Sequence, residues 1–498
     1  MLPGPVPEPR RGAVAAAFLG LSAAVLIPIA LTNLPPILDY PNHLARMHIL
    51  AALPDSPALA RWYETAWAPL PNLALDAIVP WIARLIPVEI AMRLFLGGLL
   101  IALAGGCLVL HRAAFRRWSL VPLAGFLLLY NRMLLWGFLN YLAGLALMLW
   151  ALAIWIALEG RPAWFRLLVG AFLATALYFA HLAAFGCYGL ALLAYAAARP
   201  DGGRSLAGVA AAAATLLPGA LFFLSSPISG VVAGIAYGNI LRKLDLPVSI
   251  FDNYNRIFDG LTFAIVLIAV IYGLIRGAIR VHPRLRWSLL LVILAYFAVP
   301  SRLLSASGLD HRLPVAIALL FAASTDWGAI GRKARLAVTW SALGLLTARL
   351  AVICVVWLNA DALYAGLAPA LDDVPEGGAM AVATPAGSTQ AGGVPLLHFP
   401  ILAAARRDAF VPTIFADPAQ QPIRLTKPAA RLATEAEPER LWNSLRDGTL
   451  PSLPGYDVLA VVDPPRPIVP SRLPGSIVFD SPRLVLIRLH GAVEPPQQ

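Results

Sequence analysis

The chain has 498 residues, of which 59% are hydrophobic and 13% are charged, against about 25% charged in an ordinary soluble domain. Apolar runs of about twenty residues recur through its first three-quarters, which excludes a soluble globule and indicates a polytopic membrane protein. The net charge of +11 is dealt out in small groups between those runs rather than along a continuous stripe, so it excludes a nucleic-acid surface and fits positive charge retained on one side of a bilayer.

In chain order, Arg10 and Arg11 precede an apolar stretch, 12–31, that looks like a secretory leader. The following "LTNLPPILDY" offers no small-residue cleavage site, so this stretch is expected to remain as the first helix. Further spans are expected near 91–110, 119–131, 133–158, 166–181, 183–198, 205–225, 260–276, 287–300, 314–328 and 336–359. With the N-terminus inside, the inner loops contain "HRAAFRR", "EGRPAWFR", "RPDGGR", "RGAIRVHPRLR" and "GRKAR". All are basic, as the positive-inside rule requires. Residues 32–90, 226–259, 301–313 and the C-terminal part then face outward. The expected location is a bacterial inner membrane, with a periplasmic C-terminal domain.

Composition shifts at Asp361, where Pro, Gly and charged residues rise. "GAMAVATP", "YDVLAVVD" and "GSIVFDSPRLVLIRL" read as strands bounded by turn residues. "PAARLATEAEPERLWNSLRD" reads as one amphipathic helix near 429–447. The expected fold is therefore a polytopic α-helical membrane domain, 1–360, with about 11 transmembrane helices, plus a small α/β domain, 361–498. Cys107, Cys187 and Cys354 lie inside apolar runs without metal or redox spacing and read as core residues. No Walker loop, dinucleotide fingerprint, H-E-x-x-H or G-x-S-x-G occurs, which leaves an ATP-driven pump and a serine hydrolase without support.

The stretch "ILDYPNHLARMHIL" follows the first apolar run directly. Pro41 suits the first turn of a helix that Pro54 limits at its other end. On that helix Asn42, His43 and Arg46 share one side, with Leu44, Met47 and Ala51 opposite, as in a helix lying in the membrane interface. Asp39 stands just before its N-terminus, where a carboxylate commonly caps the free amides. Arg46 could equally extend to lipid headgroups. Farther on, "DAIVPWIARLIP" reads as a second interface-lying helix.

Other polar groups interrupt apolar surroundings. Arg132 in "YNRMLLWGFLNYLAG" is placed at the outer boundary, either snorkelling or binding an anionic headgroup, because a charge deeper in the bilayer is costly. Asn140 in the same stretch reads as a link between helices. "SRLLSASGLDHRLPVAI" supplies Arg302, Asp310 and Arg312, which form either a local ion pair at a helix start or a phosphate site.

A long first outer loop with an acidic residue at the end of helix one and two surface-lying helices, about eleven spans and a C-terminal outer domain resembles the GT-C superfamily. These are membrane glycosyltransferases that use polyprenyl-phosphate-linked sugars, and the sequence anchor of the likeness is "LDYPNHLAR". The resemblance implies Asp39 as catalytic base. The polar residues at the outer boundary, His43, Arg46, Asn42, Arg132, Arg302, Asp310 and Arg312, are the candidate substrate-binding residues. The resemblance also implies a polyprenyl-phosphate-linked donor, a glycan, lipid or protein acceptor, and contact with membrane lipid. Many relatives carry two adjacent acidic residues here, whereas Asp39 is followed by Tyr40, which leaves a divalent metal such as Mg or Mn open. Two other readings remain: a transporter or flippase of lipid-linked intermediates, which would distribute polar groups through the midplane, and a non-catalytic scaffold of the same fold.

Overall fold

The structure, a computed structural model, describes residues 9–198, 205–230, 234–303, 306–328, 330–386, 395–468 and 473–490. The basic loop "RPDGGR", 199–204, therefore lies outside the described residues. The chain divides into two compact units. The first combines Met1–Leu31, Ala68–Leu75 and Phe95–Val355; the second combines Thr32–Trp67, Asp76–Leu94 and Val356–Gln498.

Seven helical segments among the described residues are long and apolar enough to cross a membrane. They are Arg11–Ala30, Val88–Phe115, Leu139–Ala157, Ala163–Ala180, Leu206–Ser225, Arg256–Ile275 and Arg332–Asp373. Shorter helices, Leu182–Ala197, Leu285–Ala298 and Leu309–Ser324, coincide with the spans expected near 183–198, 287–300 and 314–328. The helix Arg256–Ile275 turns Ile257, Leu261, Ile265, Ile268, Tyr272 and Ile275 outward. That three- and four-residue spacing makes an apolar stripe suited to hydrocarbon rather than water. The protein is a membrane protein.

The expected span 119–131 does not form a single α-helix. Val121–Leu128 is a 3-10 helix with Pro122 near its start, where a missing N–H costs nothing. A short helix, Arg132–Trp136, follows. The Asn131 side chain caps it by accepting from the Leu134 N–H, and Gly137 ends it at φ 93°, a left-handed conformation natural to glycine. A 3-10 run of this length covers about 16 Å, roughly half a hydrocarbon core.

Several charges buried in the first unit have polar partners among the described residues. The Arg349 guanidinium donates to Asp259 at 3.1 Å and to the carbonyls of Tyr130 and Phe251 at 3.2 and 3.0 Å. Lys243 Nζ donates to the carbonyls of Tyr296, Phe297 and Val299 at 3.0, 2.9 and 2.5 Å. These are orphan acceptors at the C-terminal end of the helix Leu285–Ala298, where positive charge is also favoured by the helix dipole. The Asp326 carboxylate accepts from Arg117 Nε at 2.7 Å and from the Ser119 hydroxyl at 3.0 Å.

In the second unit, four strands form one sheet in the spatial order Met380–Ala383, Val458–Val462, Leu484–Leu489, Gly475–Asp480. The first pair is parallel and the other two are antiparallel. Every residue of "MAVA" and "VLAVV" is buried, which explains continuous apolar runs instead of alternation. The strand Tyr63–Thr65 pairs antiparallel with Ile423–Leu425, and the Trp62 ring stacks on Phe410 at 5.2 Å. Much of the first loop is thereby built into the same core as the C-terminal residues.

Two expected helices are altered in this unit. The amphipathic stretch 429–447 is two helices, Lys427–Glu435 and Pro438–Arg446. Pro438 has no N–H to continue the first helix and disfavours helical backbone at Glu437. The Glu437 carboxylate instead caps the second, accepting from the Glu439 and Arg440 N–H groups. In "DAIVPWIARLIP" only Val79–Ala83 is helical, and Pro87 immediately precedes the long helix Val88–Phe115.

The buried Arg349–Asp259 pair generates a stability prediction. Asp259→Ala should cost about 3–5 kcal/mol, because it strands a buried guanidinium, whereas the double variant Arg349→Met/Asp259→Leu should recover most of that loss. Thermal unfolding of the detergent-solubilised variants checks this, and equal losses in the single and double variants would contradict it.

Candidate active site

The helix after the first apolar run is Tyr40–Ala52, with Pro41 in its first turn. It differs from the expected half-exposed interface helix, since every residue from Tyr40 to Ala51 except His48 is buried. Its polar residues are consumed by specific partners within the second unit rather than by solvent. The Arg46 guanidinium grips Asp76 through two bonds, Nε to Oδ1 at 2.7 Å and Nη2 to Oδ2 at 3.1 Å. The side chains are 1% and 0% exposed, so this fork-to-carboxylate pair is committed. Arg46 therefore acts as an internal tie rather than as a cation available to a headgroup.

Asn42 is fully buried. Its Oδ1 accepts from the Phe415 N–H at 2.8 Å, and its Nδ2 donates to the Thr413 carbonyl at 2.8 Å. The same Nδ2 lies 3.4 Å from His398 Nδ1. His43 and His398 both pack edge-on with the Phe415 ring, at 6.1 and 5.3 Å. Burial raises the neighbouring Tyr40 phenol above its ordinary range, with Arg93 opposing, so Tyr40 is a neutral hydroxyl.

Asp39 is the N-cap residue of this helix, but its side chain makes no cap hydrogen bond. Its Oδ1 instead lies 3.4 Å from His398 Nε2, with both side chains only partly exposed. Among the described residues Oδ2 has no hydrogen-bond partner. The carboxylate is thus positioned without being consumed, as a proton acceptor must be. A second cluster lies farther along the helix. The Asp408 carboxylate takes the Ser56 hydroxyl at 2.7 Å and lies 2.8 Å from His48 Nε2. Ser56 Oγ also accepts from the Leu59 N–H, so this serine caps a short helix and is no free nucleophile.

The other expected residues belong to the first unit. Arg132 pairs with Asp252 and lies over the Trp136 ring at 5.6 Å. Arg312 is buried over Phe138 at 4.7 Å, and the Tyr141 hydroxyl donates to its carbonyl at 2.7 Å. Asp310 is buried in the first turn of the helix Leu309–Ser324 and accepts from the His311 N–H. Arg302 is exposed and makes no ion pair among the described residues. Asn140 bonds the backbone of Asn72 and Leu75, an internal link as its position suggests. The structure therefore brings Asp39, Asn42 and His43 into one cluster and shows Arg132, Arg302, Asp310 and Arg312 in the other unit.

Sequence reasoning passed over His398, Asp76 and Asp408. His398 opens "HFPILAAARRDAFVPTIFADPAQQPI", and nothing in one sequence links it to a residue 359 positions earlier. As metal donors, Asp39 and His398 offer one carboxylate oxygen set and one imidazole. No group of three His, Cys, Asp or Glu side chains among the described residues is arranged to hold an ion. These residues alone form no all-protein cage; a Mg ion held through the Asp39 carboxylate would take its remaining ligands from water and substrate phosphate.

The geometry separates two roles for acidic residues in this unit. Asp39→Ala should leave thermal stability within about 0.5 kcal/mol of wild type, since no cap bond is lost. Asp76→Ala should cost about 3–5 kcal/mol by leaving Arg46 buried and unpaired. Melting curves of the two purified variants check the contrast. A loss of about 1–2 kcal/mol for Asp39→Ala would restore the capping role.

No family model and no curated protein matches the chain. Among solved structures, the apo crystal structure of ArnT from Cupriavidus metallidurans aligns at a TM-score of 0.54 with 13% identity, covering 96% of this chain and 98% of that one. A cryo-EM structure of the arabinofuranosyltransferase AftD from Mycobacteria aligns at a TM-score of 0.41 with 16% identity, covering 97% of this chain and 42% of that one; a likeness at that level carries no argument. The first match extends over nearly the whole length of both chains, so it bears on the complete architecture. At that identity it establishes fold alone: the chain has the GT-C fold.

Proposed function

We propose that this protein is a membrane glycosyltransferase. It takes a sugar from a polyprenyl-phosphate-linked donor and passes it to a hydroxyl of a glycan, lipid or protein acceptor on the outer face of a bacterial inner membrane. The observation that carries this reading is the state of Asp39. It is a carboxylate at a helix N-terminus that leaves the helix amides alone, with one oxygen near His398 and the other unbonded among the described residues. The fold shared with ArnT supports it.

The acceptor oxygen attacks the anomeric carbon and forms the new C–O bond. The bond from that carbon to the carrier phosphate oxygen breaks, and its electron pair leaves with the phosphate. Asp39 takes the acceptor proton as the bond forms. Direct displacement inverts the anomeric centre, and the products are the glycosylated acceptor and polyprenyl phosphate. Negative charge building on the departing phosphate calls for cations. Arg132, Arg302 and Arg312 are the candidates, and Arg302, exposed and without an ion pair among the described residues, is the least committed. Arg46 is withdrawn from that role by Asp76. The basic inner loops support the outward orientation.

The test is sugar transfer by the purified protein supplied with polyprenyl-phosphate-linked sugars and glycan or lipid acceptors. Wild type should consume donor and release polyprenyl phosphate. Asp39→Asn, folded normally, should lose at least about 10²-fold in kcat, the usual contribution of a general base. A folded Asp39→Asn protein of wild-type activity would remove the proposed base.

A further inference from the structure

We infer that Asn42 and His398 form a positioning pair that determines which imidazole edge meets Asp39, so that His398 directs an N–H at that carboxylate. The catalytic meaning of this inference rests on the glycosyltransferase reading; its geometry does not. Asn42 cannot turn its amide over. Its Oδ1 must accept from the Phe415 N–H, and its Nδ2 must donate to the Thr413 carbonyl, both at 2.8 Å. Flipping the amide would set acceptor against acceptor and donor against donor in a fully buried position, costing both bonds. The group presented to His398 Nδ1 is therefore always an NH₂, 3.4 Å away.

An NH₂ group has only protons to offer, so the ring nitrogen facing it must accept. Nδ1 is then unprotonated, and the neutral imidazole carries its proton on Nε2. Nε2 is the atom 3.4 Å from Asp39 Oδ1. Phe415 sits edge-on to the ring at 5.3 Å and limits its swing. Both contacts to His398, at 3.4 Å, are long for a hydrogen bond.

The arrangement gives Asp39 two distinct oxygens. Oδ1 faces the Nε2–H, which fixes the rotamer of the carboxylate. Oδ2 is left to receive the acceptor proton. His398 and Asn42 touch neither donor nor acceptor in this account, and they act through Asp39. The segment that holds them, from His398 to Phe415, thereby supplies the orientation that a single aspartate without an adjacent acidic partner lacks.

The test reads the proton directly. Full-length protein labelled with ¹⁵N in its eight histidine rings is reconstituted in nanodiscs at pH 8, and the His398 signals are assigned by difference against His398→Gln. Wild type should show the neutral Nε2–H tautomer. A proton on Nδ1, in the other tautomer or in an imidazolium, overturns the inference. Asn42→Asp, if it folds, should move the proton to Nδ1; an unmoved proton counts against the pair, and if that variant fails to fold the wild-type spectrum decides alone.

Turnover separates this from the glycosyltransferase reading. His398→Phe should lower kcat about 10²-fold, as misplacement of a catalytic group does. His398→Gln, whose amide nitrogen reaches the place of Nε2, should lose only about threefold, with KM within about threefold of wild type in both variants. If Asp39→Asn is inactive while His398→Phe turns over like wild type, the positioning role fails and the base survives. If Asp39→Asn is fully active, the enzymatic reading fails whatever tautomer is observed.

Discussion

The buried amide of Asn42 is fastened at both ends to one short piece of backbone, Thr413 on one side and Phe415 on the other. That fastening joins the beginning of the chain to residues more than 370 positions later. It holds the helix Tyr40–Ala52 at a fixed register against the segment carrying His398. Two buried hydrogen bonds at 2.8 Å resist displacement because each polar group would otherwise be left unpaired away from water. Asp39, one helical turn before Asn42, inherits its position from that register.

Other polar contacts in the second unit reinforce this frame. Arg46 and Asp76 tie the helix to a later stretch of the same first loop, while Asp408 ties its far end through His48 and Ser56. A buried ion pair adds little net stability over a well-packed apolar pair, but it penalises every arrangement that separates the two charges. Several such ties along one thirteen-residue helix make its placement specific. The N-cap residue Asp39 thereby presents its carboxylate in a fixed direction.

The sequence disclosed the architecture in proportion to how local its causes are. Long apolar runs mark spans, because twenty residues of helix cross a bilayer by themselves, and ten of the eleven expected spans fall on helices. The exception, 119–131, turned on Pro122 and on the cap and stop supplied by Asn131 and Gly137, signals present in the sequence but weaker than its apolarity. The split at Pro438 was likewise written locally and outweighed by the amphipathic pattern around it. By contrast, "LDYPNHLAR" drew attention to Asp39 and Asn42, but gave no hint that Arg46 is spent on Asp76 or that His398 stands beside Asp39. Those contacts join residues 30 and 359 positions apart, and periodicity carries no information over such distances. For the same reason the helix read as half-exposed. Leu44 and Met47 show one apolar face, while the covering of the polar face depends on chain that arrives much later.

The most direct measurement is a structure of the protein with a non-reactive phosphonate analogue of a lipid-linked sugar and an acceptor bound together. The account predicts the acceptor hydroxyl within about 2.6–3.2 Å of Asp39 Oδ2, or joined to it through one water, on the face of the sugar opposite the phosphonate. An acceptor seated away from Asp39, or Asp39 turned back to bond the amides of its own helix, would contradict it.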